Sequence, residues 1–151
     1  MLTIAVISDT HDRLPPSVVR AIAAADEIWH LGDVCRPETL DPVLAIGRPF
    51  VVVRGNCDYT WEWPLTRRLE RGGRRFHLEH VPPHRPPAGV DFVLHGHTHV
   101  PRDETILGVR FLNPGCITRP NRGSPASFAW LRIPENDKVE WRLEAVQPGA
   151  D

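Results

Sequence analysis

Leu2-Thr3-Ile4-Ala5-Val6-Ile7-Ser8-Asp9-Thr10-His11 opens the chain with a short β-branched apolar run that stops at a carboxylate and an imidazole. Such a run, bounded by polar residues, reads as a strand buried on both faces. The pattern then recurs. After Pro15-Pro16, Ser17 is placed to N-cap a helix through Ala25, with Val18, Ile22 and Ala25 on one face. Ile28 to Leu31 reads as a second strand, ending at Gly32-Asp33. A short helix is expected from about Pro37 to Ile46, then a third strand from Phe50 to Val53, ending at Gly55-Asn56. Strand and helix alternating at this spacing imply parallel strands joined by right-handed crossovers.

The second half changes character. Leu65 to Leu69 and Arg75 to His80 flank Gly72-Gly73 as a hairpin, and Val90 to Leu94 is a further buried strand. Thr105 to Leu107 pairs with Val109 to Leu112 around Gly108, and Phe128 to Ile133 with Val139 to Val146 makes a last hairpin. The prolines of Val81-Pro82-Pro83-His84-Arg85-Pro86-Pro87 exclude a helix between two of these strands. Mixed sheets with helices outside are the expected architecture.

A chain of 151 residues suits one domain, 1–151, with a real core. Its net charge of -1 gives no general pull toward nucleic acid or membrane. Arg67, Arg68, Arg71, Arg74 and Arg75 cluster locally, but no aromatics interleave them, so a solvated hairpin face is expected and nucleic acid is not indicated. No apolar run approaches a membrane span, the N-terminus lacks a basic signal-peptide start, and the cytoplasm is the expected location. Cys35, Cys57 and Cys116 are odd in number and far apart, which suggests neither a zinc finger nor a disulfide framework. The oligomeric state is left open, a homo-oligomer included.

Asp9, His11, Asp33, Asn56, His80, His97 and His99 each fall just past the expected end of a strand. That edge of an open α/β sheet is where ligands collect. Taken singly, Asp33 reads equally well as a helix N-cap and Asn56 as a turn residue. The run His95-Gly96-His97-Thr98-His99 is harder to explain by packing: three imidazoles after an apolar strand are costly to bury unless a metal engages them. His30 and His95 read instead as packing groups at strand ends, and His77 faces away from His80 by strand alternation. Carboxylate, amide and imidazole mixed in one set argue against a closed structural zinc site, and for two divalent cations sharing a carboxylate.

As an ordered set, Asp9-x-His11, Trp29-His30-Leu31-Gly32-Asp33, Gly55-Asn56-Cys57-Asp58, His80, Gly96-His97-Thr98-His99 and Asn113-Pro114-Gly115-Cys116 resemble the calcineurin-like metallophosphoesterase superfamily. The likeness runs from Ile4 to about Val146, and the details look most like the small prokaryotic phosphodiesterase branch that also contains the retromer scaffold subunit. The resemblance implies an α/β fold, an αββα sandwich of two mixed β-sheets flanked by helices. It implies a first metal held by Asp9, His11, Asp33 and His99, and a second by Asp33, Asn56, His80 and His97, with Asp33 bridging. Mn is the expected ion, with Fe, Ni or Zn also suited to such ligands. The implied reaction is in-line attack of a bridging hydroxide on a small phosphate ester, phosphodiesters before monoesters, with Asp9, His11, Asp33, Asn56 and His97 acting through metals and phosphate.

Two positions within the resemblance bear on the chemistry. Phe76-His77-Leu78-Glu79-His80-Val81 keeps only the histidine of the family's T-H-G, so His84 stands as a fallback ligand and as a candidate proton donor. Cys57 occupies a position where many members carry His, and a thiol is a poor substitute for protonating a leaving group. The competing reading is a catalytically weak or inactive protein of the same fold that serves as a binding scaffold; erosion of the ligand set would mark it, and none of these positions is lost.

Overall fold

In the computed structural model, which describes residues 1–147, the apolar runs of the first half line up in one sheet. β1 (Leu2–Ile7), α1 (Pro16–Ile22), β2 (Glu27–His30), a 3-10 turn (Pro37–Leu40) leading into α2 (Asp41–Leu44), and β3 (Phe50–Val52) follow in that order. β4 (Thr66–Arg71), β5 (Arg74–Glu79), β6 (Phe92–Leu94), β7 (Arg102–Ile106) and β8 (Val109–Asn113) build a second sheet; β9 (Ser127–Ile133) and β10 (Glu140–Ala145) return to the first. The strand orders are β10-β9-β1-β2-β3 and β4-β5-β6-β8-β7. Three neighbouring strands run parallel in each sheet: β1, β2 and β3 in the first, with β3 at its edge, and β5, β6 and β8 at the centre of the second. Antiparallel β9 and β10 extend the first sheet on one side, and antiparallel β4 and β7 flank the second on both.

Period-two alternation divides the core. Ile4 and Val6 of β1 meet Trp29, Leu31, Phe76, Leu78, Leu94 and Leu112 between the sheets, while Ala5 and Ile7 face Val18 and Ile22 of α1. Trp29 and Phe76 touch edge to face across the interlayer at 5.5 Å, and each such fully buried ring stabilises the fold by about 1.5–3 kcal/mol. The sandwich expected from the resemblance is present, but its helices are few and all cover the first sheet. Among the described residues the outer face of the second sheet has none; Val90 from the proline-rich connection packs there on Val93, Val109 and Phe111, and the Arg102 guanidinium lies 4.7 Å over the Phe111 ring.

A local expectation is corrected at the first helix. The first helix starts at Pro16 and stops at Ile22, with Pro15 rather than Ser17 at the N-cap, because proline's fixed φ suits the first helical position. The Arg cluster is largely spent on structure: Arg71 pairs with Glu27, Arg75 with Asp91, Arg68 donates to the Ala88 carbonyl, and Arg74 donates to the Pro134 and Asp137 carbonyls. No helix among the described residues is long and apolar enough to cross a membrane.

Candidate metal centre

The parallel strands of both sheets end at one common edge. Asp9 and His11 follow β1, Asp33 follows β2, Asn56 follows β3, His80 follows β5, and His97 and His99 follow β6. Asp9 Oδ1 lies 3.3 Å from His99 Nε2, 3.7 Å from His11 Nε2 and 3.8 Å from His80 Nε2. Asp33 Oδ2 stands between His80 Nε2 at 3.2 Å and His11 Nε2 at 3.7 Å. These atoms fall into two overlapping triads, Asp9–His11–His99 and Asp9–Asp33–His80, each compact enough to enclose one cation. Asp9 is thus common to both, beside the contact of Asp33 with an imidazole of each. At the open side, His97 Nδ1 and the Asn56 side-chain oxygen are 3.1 Å apart, and the His97 ring stands edge-on to His80.

The atoms turned away from the centre are fixed by the protein. His80 Nδ1 donates to the Leu31 carbonyl at 2.8 Å, and His99 Nδ1 donates to the Arg119 carbonyl. A carbonyl only accepts, so both rings present an unprotonated Nε2 inward when neutral. Asp9 Oδ2 accepts from Ser8 Oγ at 2.7 Å and from the His97 backbone N–H at 3.3 Å, and Asp33 Oδ1 accepts from the Cys57 N–H at 2.9 Å. Inside, Asp9 Oδ1 and His80 Nε2 are buried beside oppositely charged groups at 3.2–3.8 Å but make no hydrogen bond. Buried orphans of this kind are costly, and a cation held between them satisfies both. The donor set and its geometry therefore fit divalent metal.

Electrostatics point the same way. Burial pushes the Asp9 carboxyl up, but His11 and His99 against it and His80 nearby outweigh that and hold it well below the usual carboxylate range. Asp33 is raised by burial and lowered more by His80 and the Cys57 N–H. In return, burial lowers His80 but Asp33, Asp9 and the Leu31 carbonyl raise it further, and His99 is raised chiefly by Asp9. The carboxylates demand positive charge, which protons or cations can supply. His30 and His95 behave differently: burial pushes them down to about 3 and about 4. Both are neutral hydrogen-bonding members of the surrounding shell, His30 with Thr10 and Gly32, His95 with Gly96 and Arg102.

The backbone here is unusual. Asp9, His11, Asp33, His97 and His99 all adopt left-handed φ values between 45° and 73°. Non-glycine residues rarely do so, and such strain concentrates at functional sites. Close approach supplies the reason for two glycines: a Cβ on Gly55 would land on the Asp33 carboxylate, and one on Gly96 would land on Ser8 Oγ and 2.7 Å from Asp9 Oδ2.

His84 lies exposed on the proline-rich loop, and no hydrogen bond or ion pair joins it to the cluster, whereas His80 is seated in it. His77 pairs with Glu79, away from the centre. Cys35 and Cys57 are joined as a disulfide between the loops after β2 and β3, contrary to the expectation of three separate thiols; the pairing of β2 with β3 is what brings them together. Position 57 then has no thiol proton to give. Asp58 is the residue whose role the sequence reading passed over, although it stood in the Gly55-Asn56-Cys57-Asp58 motif. Its buried carboxylate accepts from the backbone N–H groups of Asp33 (2.9 Å), Gly55 (2.7 Å) and Cys35 (2.7 Å), clamping two ligand loops together. Asn113 does similar work after β8, donating to the Gly96 carbonyl and accepting from the Gly115 N–H.

Comparison with known proteins agrees with this geometry. Residues 2–136 match the model of the calcineurin-like phosphoesterase superfamily domain. The probable metallophosphoesterase YsnB of Bacillus subtilis is 30% identical over 157 aligned residues, covering 94% of this chain and 90% of that protein. Phosphodiesterase YfcE of Escherichia coli K12 is 29% identical over 161 residues, covering 87% and 88%. In fold, the chain is similar to Vps29 of Entamoeba histolytica in its crystal structure with Zn, with a TM-score of 0.76 at 22% identity over 95% of this chain and 99% of the other.

Proposed function

The chain belongs to the calcineurin-like phosphoesterase superfamily, and on that footing we propose that it is a metal-dependent phosphoesterase using two divalent cations and favouring phosphodiesters over monoesters. The observation that carries this reading is the pair of buried atoms without hydrogen-bond partners, Asp9 Oδ1 and His80 Nε2, turned into a cluster of imidazoles and carboxylates. A phosphodiesterase at 29% identity supports the choice of ester. We take residues 1–151 as one domain and the cytoplasm as its place; 148–151 lie outside the described residues.

Asp9, His11, Asp33 and His99 would hold one cation and Asp33, Asn56, His80 and His97 the other, with Asp9 close enough to serve both. Divalent cations so placed supply Lewis acidity, lowering the proton affinity of a coordinated water and neutralising phosphoryl charge. The chain's own work is orientation. His80 and His99 are locked in one tautomer by the Leu31 and Arg119 carbonyls, and the Asp9 and Asp33 carboxylates are each pinned through one oxygen so that the other faces inward. His97 and Asn56, at the open side, are where an incoming phosphate ester first meets the protein. With Cys57 in the disulfide and His84 exposed and unbonded to the cluster, no proton donor for the departing oxygen stands out among the described residues, which favours esters with good leaving groups.

The test compares hydrolysis of an activated aryl phosphodiester with that of its monoester under added Mn, alongside measurement of bound metal. Two metals per chain and diester turnover abolished by Asp33→Asn are expected. A purified protein that binds no metal and turns over neither ester with any cation would leave the scaffold reading in its place.

A further inference from the structure

The sulfur pair beside the centre has no part in the chemistry just described, yet it touches a ligand. Cys35 Sγ and Cys57 Sγ lie 3.7 Å and 3.8 Å from His11 Nδ1, the ring nitrogen facing away from Asp9, Asp33 and His99. Both cysteines are half-buried, so a small thiol can reach them. Their backbones are held independently of the crosslink: the Cys35 N–H donates to Asp58, the Cys57 N–H to Asp33, and the two Cα atoms are 5.5 Å apart. Opening the disulfide therefore leaves the two sulfurs facing each other and His11.

We propose that Cys35–Cys57 is a reversible modification site which, when reduced, forms with His11 Nδ1 a separate binding site for a thiophilic divalent cation such as Zn, in competition with the candidate centre. The geometry is already close to what such an ion needs. Zinc binds thiolate sulfur at about 2.3 Å and imidazole nitrogen at about 2.0–2.1 Å, so in a tetrahedron the two donors stand roughly 3.5 Å apart. The three donor atoms here form one compact group.

The step balances by thiol–disulfide exchange. One small-molecule thiolate attacks a protein sulfur, the other protein sulfur leaves as thiolate, and a second small thiol resolves the mixed disulfide; two protein thiols and one small-molecule disulfide result. Cation binding then releases the two thiol protons. A small-molecule disulfide reverses the sequence. Competition follows from the imidazole itself: a neutral ring has one lone pair, so with Nδ1 given to the thiophilic ion, Nε2 carries the proton and no longer serves the triad with Asp9 and His99. Oxidised, the pair has no thiolate to offer and His11 stays with the centre.

The inference rests on His11 as a ligand of the proposed centre, but its test reads the thiolates directly. Co(II) is titrated into oxidised and reduced protein, with free thiols counted in each. An intense near-ultraviolet thiolate-to-cobalt band is expected in the reduced protein alone, absent from the Cys35→Ser/Cys57→Ser double variant, in which buried Cys116 remains. Zn should inhibit Mn-dependent diester hydrolysis at concentrations at least ten-fold lower in the reduced protein than in the oxidised one. No band in protein shown to carry both free thiols, or a band that survives in the double variant, overturns the proposal. A band without any metal-dependent turnover would instead count against the phosphoesterase reading and leave the thiolate site standing.

Discussion

Replacing Asp58 by Asn is expected to loosen both loops that carry Asp33 and Asn56 without touching a ligand. Asp58 Oδ2 accepts from Asp33 N–H and Gly55 N–H, and Oδ1 accepts from Cys35 N–H. Asn keeps one oxygen. Seated toward Asp33 and Gly55, it turns its amide nitrogen against the Cys35 N–H, donor facing donor. A hydrogen bond to a charged group contributes about 1.5–3 kcal/mol and an orphaned buried N–H costs about 1–3 kcal/mol, so a loss of about 2–4 kcal/mol is expected. Asp58→Ala would orphan all three N–H groups, a loss approaching the roughly 5–15 kcal/mol of net stability that a domain has, so Asn is the informative change. Urea unfolding of chelated, oxidised protein reads it as a lower midpoint at unchanged slope. Calorimetric titration with Mn should show affinity about 10–100-fold weaker, as expected when support behind ligands is removed. Because the disulfide spans the same loops, the loss should be larger after reduction, a coupling that a double-mutant cycle with Cys35→Ser can measure. An Asn variant within about 0.5 kcal/mol of the parent, with equal Mn affinity, would refute the clamp.

Gly96→Ala should fold but lose activity by about 100-fold, because the new Cβ displaces Ser8 or Asp9 and a ligand moved by 1 Å is enough for such a loss; unchanged kcat/KM would show that the approach is not tight. His30, fully buried with its pKa pushed down to about 3, lies below its unfolded value of about 6.5, so the unfolded chain takes up the proton first and stability falls as pH drops through that window, by about 2 kcal/mol at pH 5. In His30→Asn, where Oδ1 still accepts from the Gly32 N–H, the difference in unfolding free energy between pH 7.5 and pH 5 should shrink by about that amount, and an equal difference would exclude His30 as the source. Chelating the metal should lower Tm by about 5–10 °C relative to protein at a free Mn concentration of 100 times Kd, since binding there contributes about 2.7 kcal/mol; a metal-independent Tm would count against the centre. Cys57→His, which breaks the disulfide and supplies a proton donor, should raise monoesterase turnover, and no change would show that leaving-group protonation is not limiting.

The strands and the polar side chains that cluster at their ends were legible because each is a local pattern. Ile4 to Ile7 alternates between two apolar layers, so that stretch is apolar throughout, and the polar residues that follow it mark the edge. His80 was readable only as the histidine that ends an apolar strand, and its place in the cluster depends on the second sheet packing against the first, which brings the Leu31 carbonyl to its ring. The Cys35–Cys57 bond was illegible for the same reason: 22 residues separate the two, and proximity comes from β2 lying beside β3. His84, four residues from His80, looked like a substitute, but the prolines around it carry the chain to the surface. No residue pattern announced the left-handed backbone at the ligands, since aspartate and histidine at those positions have no local need for it.

That backbone explains how the centre depends on both sheets. Left-handed non-glycine residues cost about 1–3 kcal/mol each, so those at Asp9, His11, Asp33, His97 and His99 together reach the order of a domain's whole net stability. Bonds between loops, rather than within them, hold the strained conformations. Asp9 N–H donates to the Gly32 carbonyl, His11 N–H to that of Asp33 and Asp12 N–H to that of Val34, extending the pairing of β1 and β2 beyond the strands. Within the second sheet Gly96 N–H donates to the His80 carbonyl, and across the interlayer His97 N–H donates to the Asp9 carboxylate and the His80 ring to the Leu31 carbonyl of the first sheet. Each ligand loop is thus held in its unfavourable form by groups from its neighbours. A single loop transplanted elsewhere would relax, whereas here the packed interlayer of Trp29, Phe76, Leu78 and Leu94 supplies the free energy that keeps the ligand edge in shape.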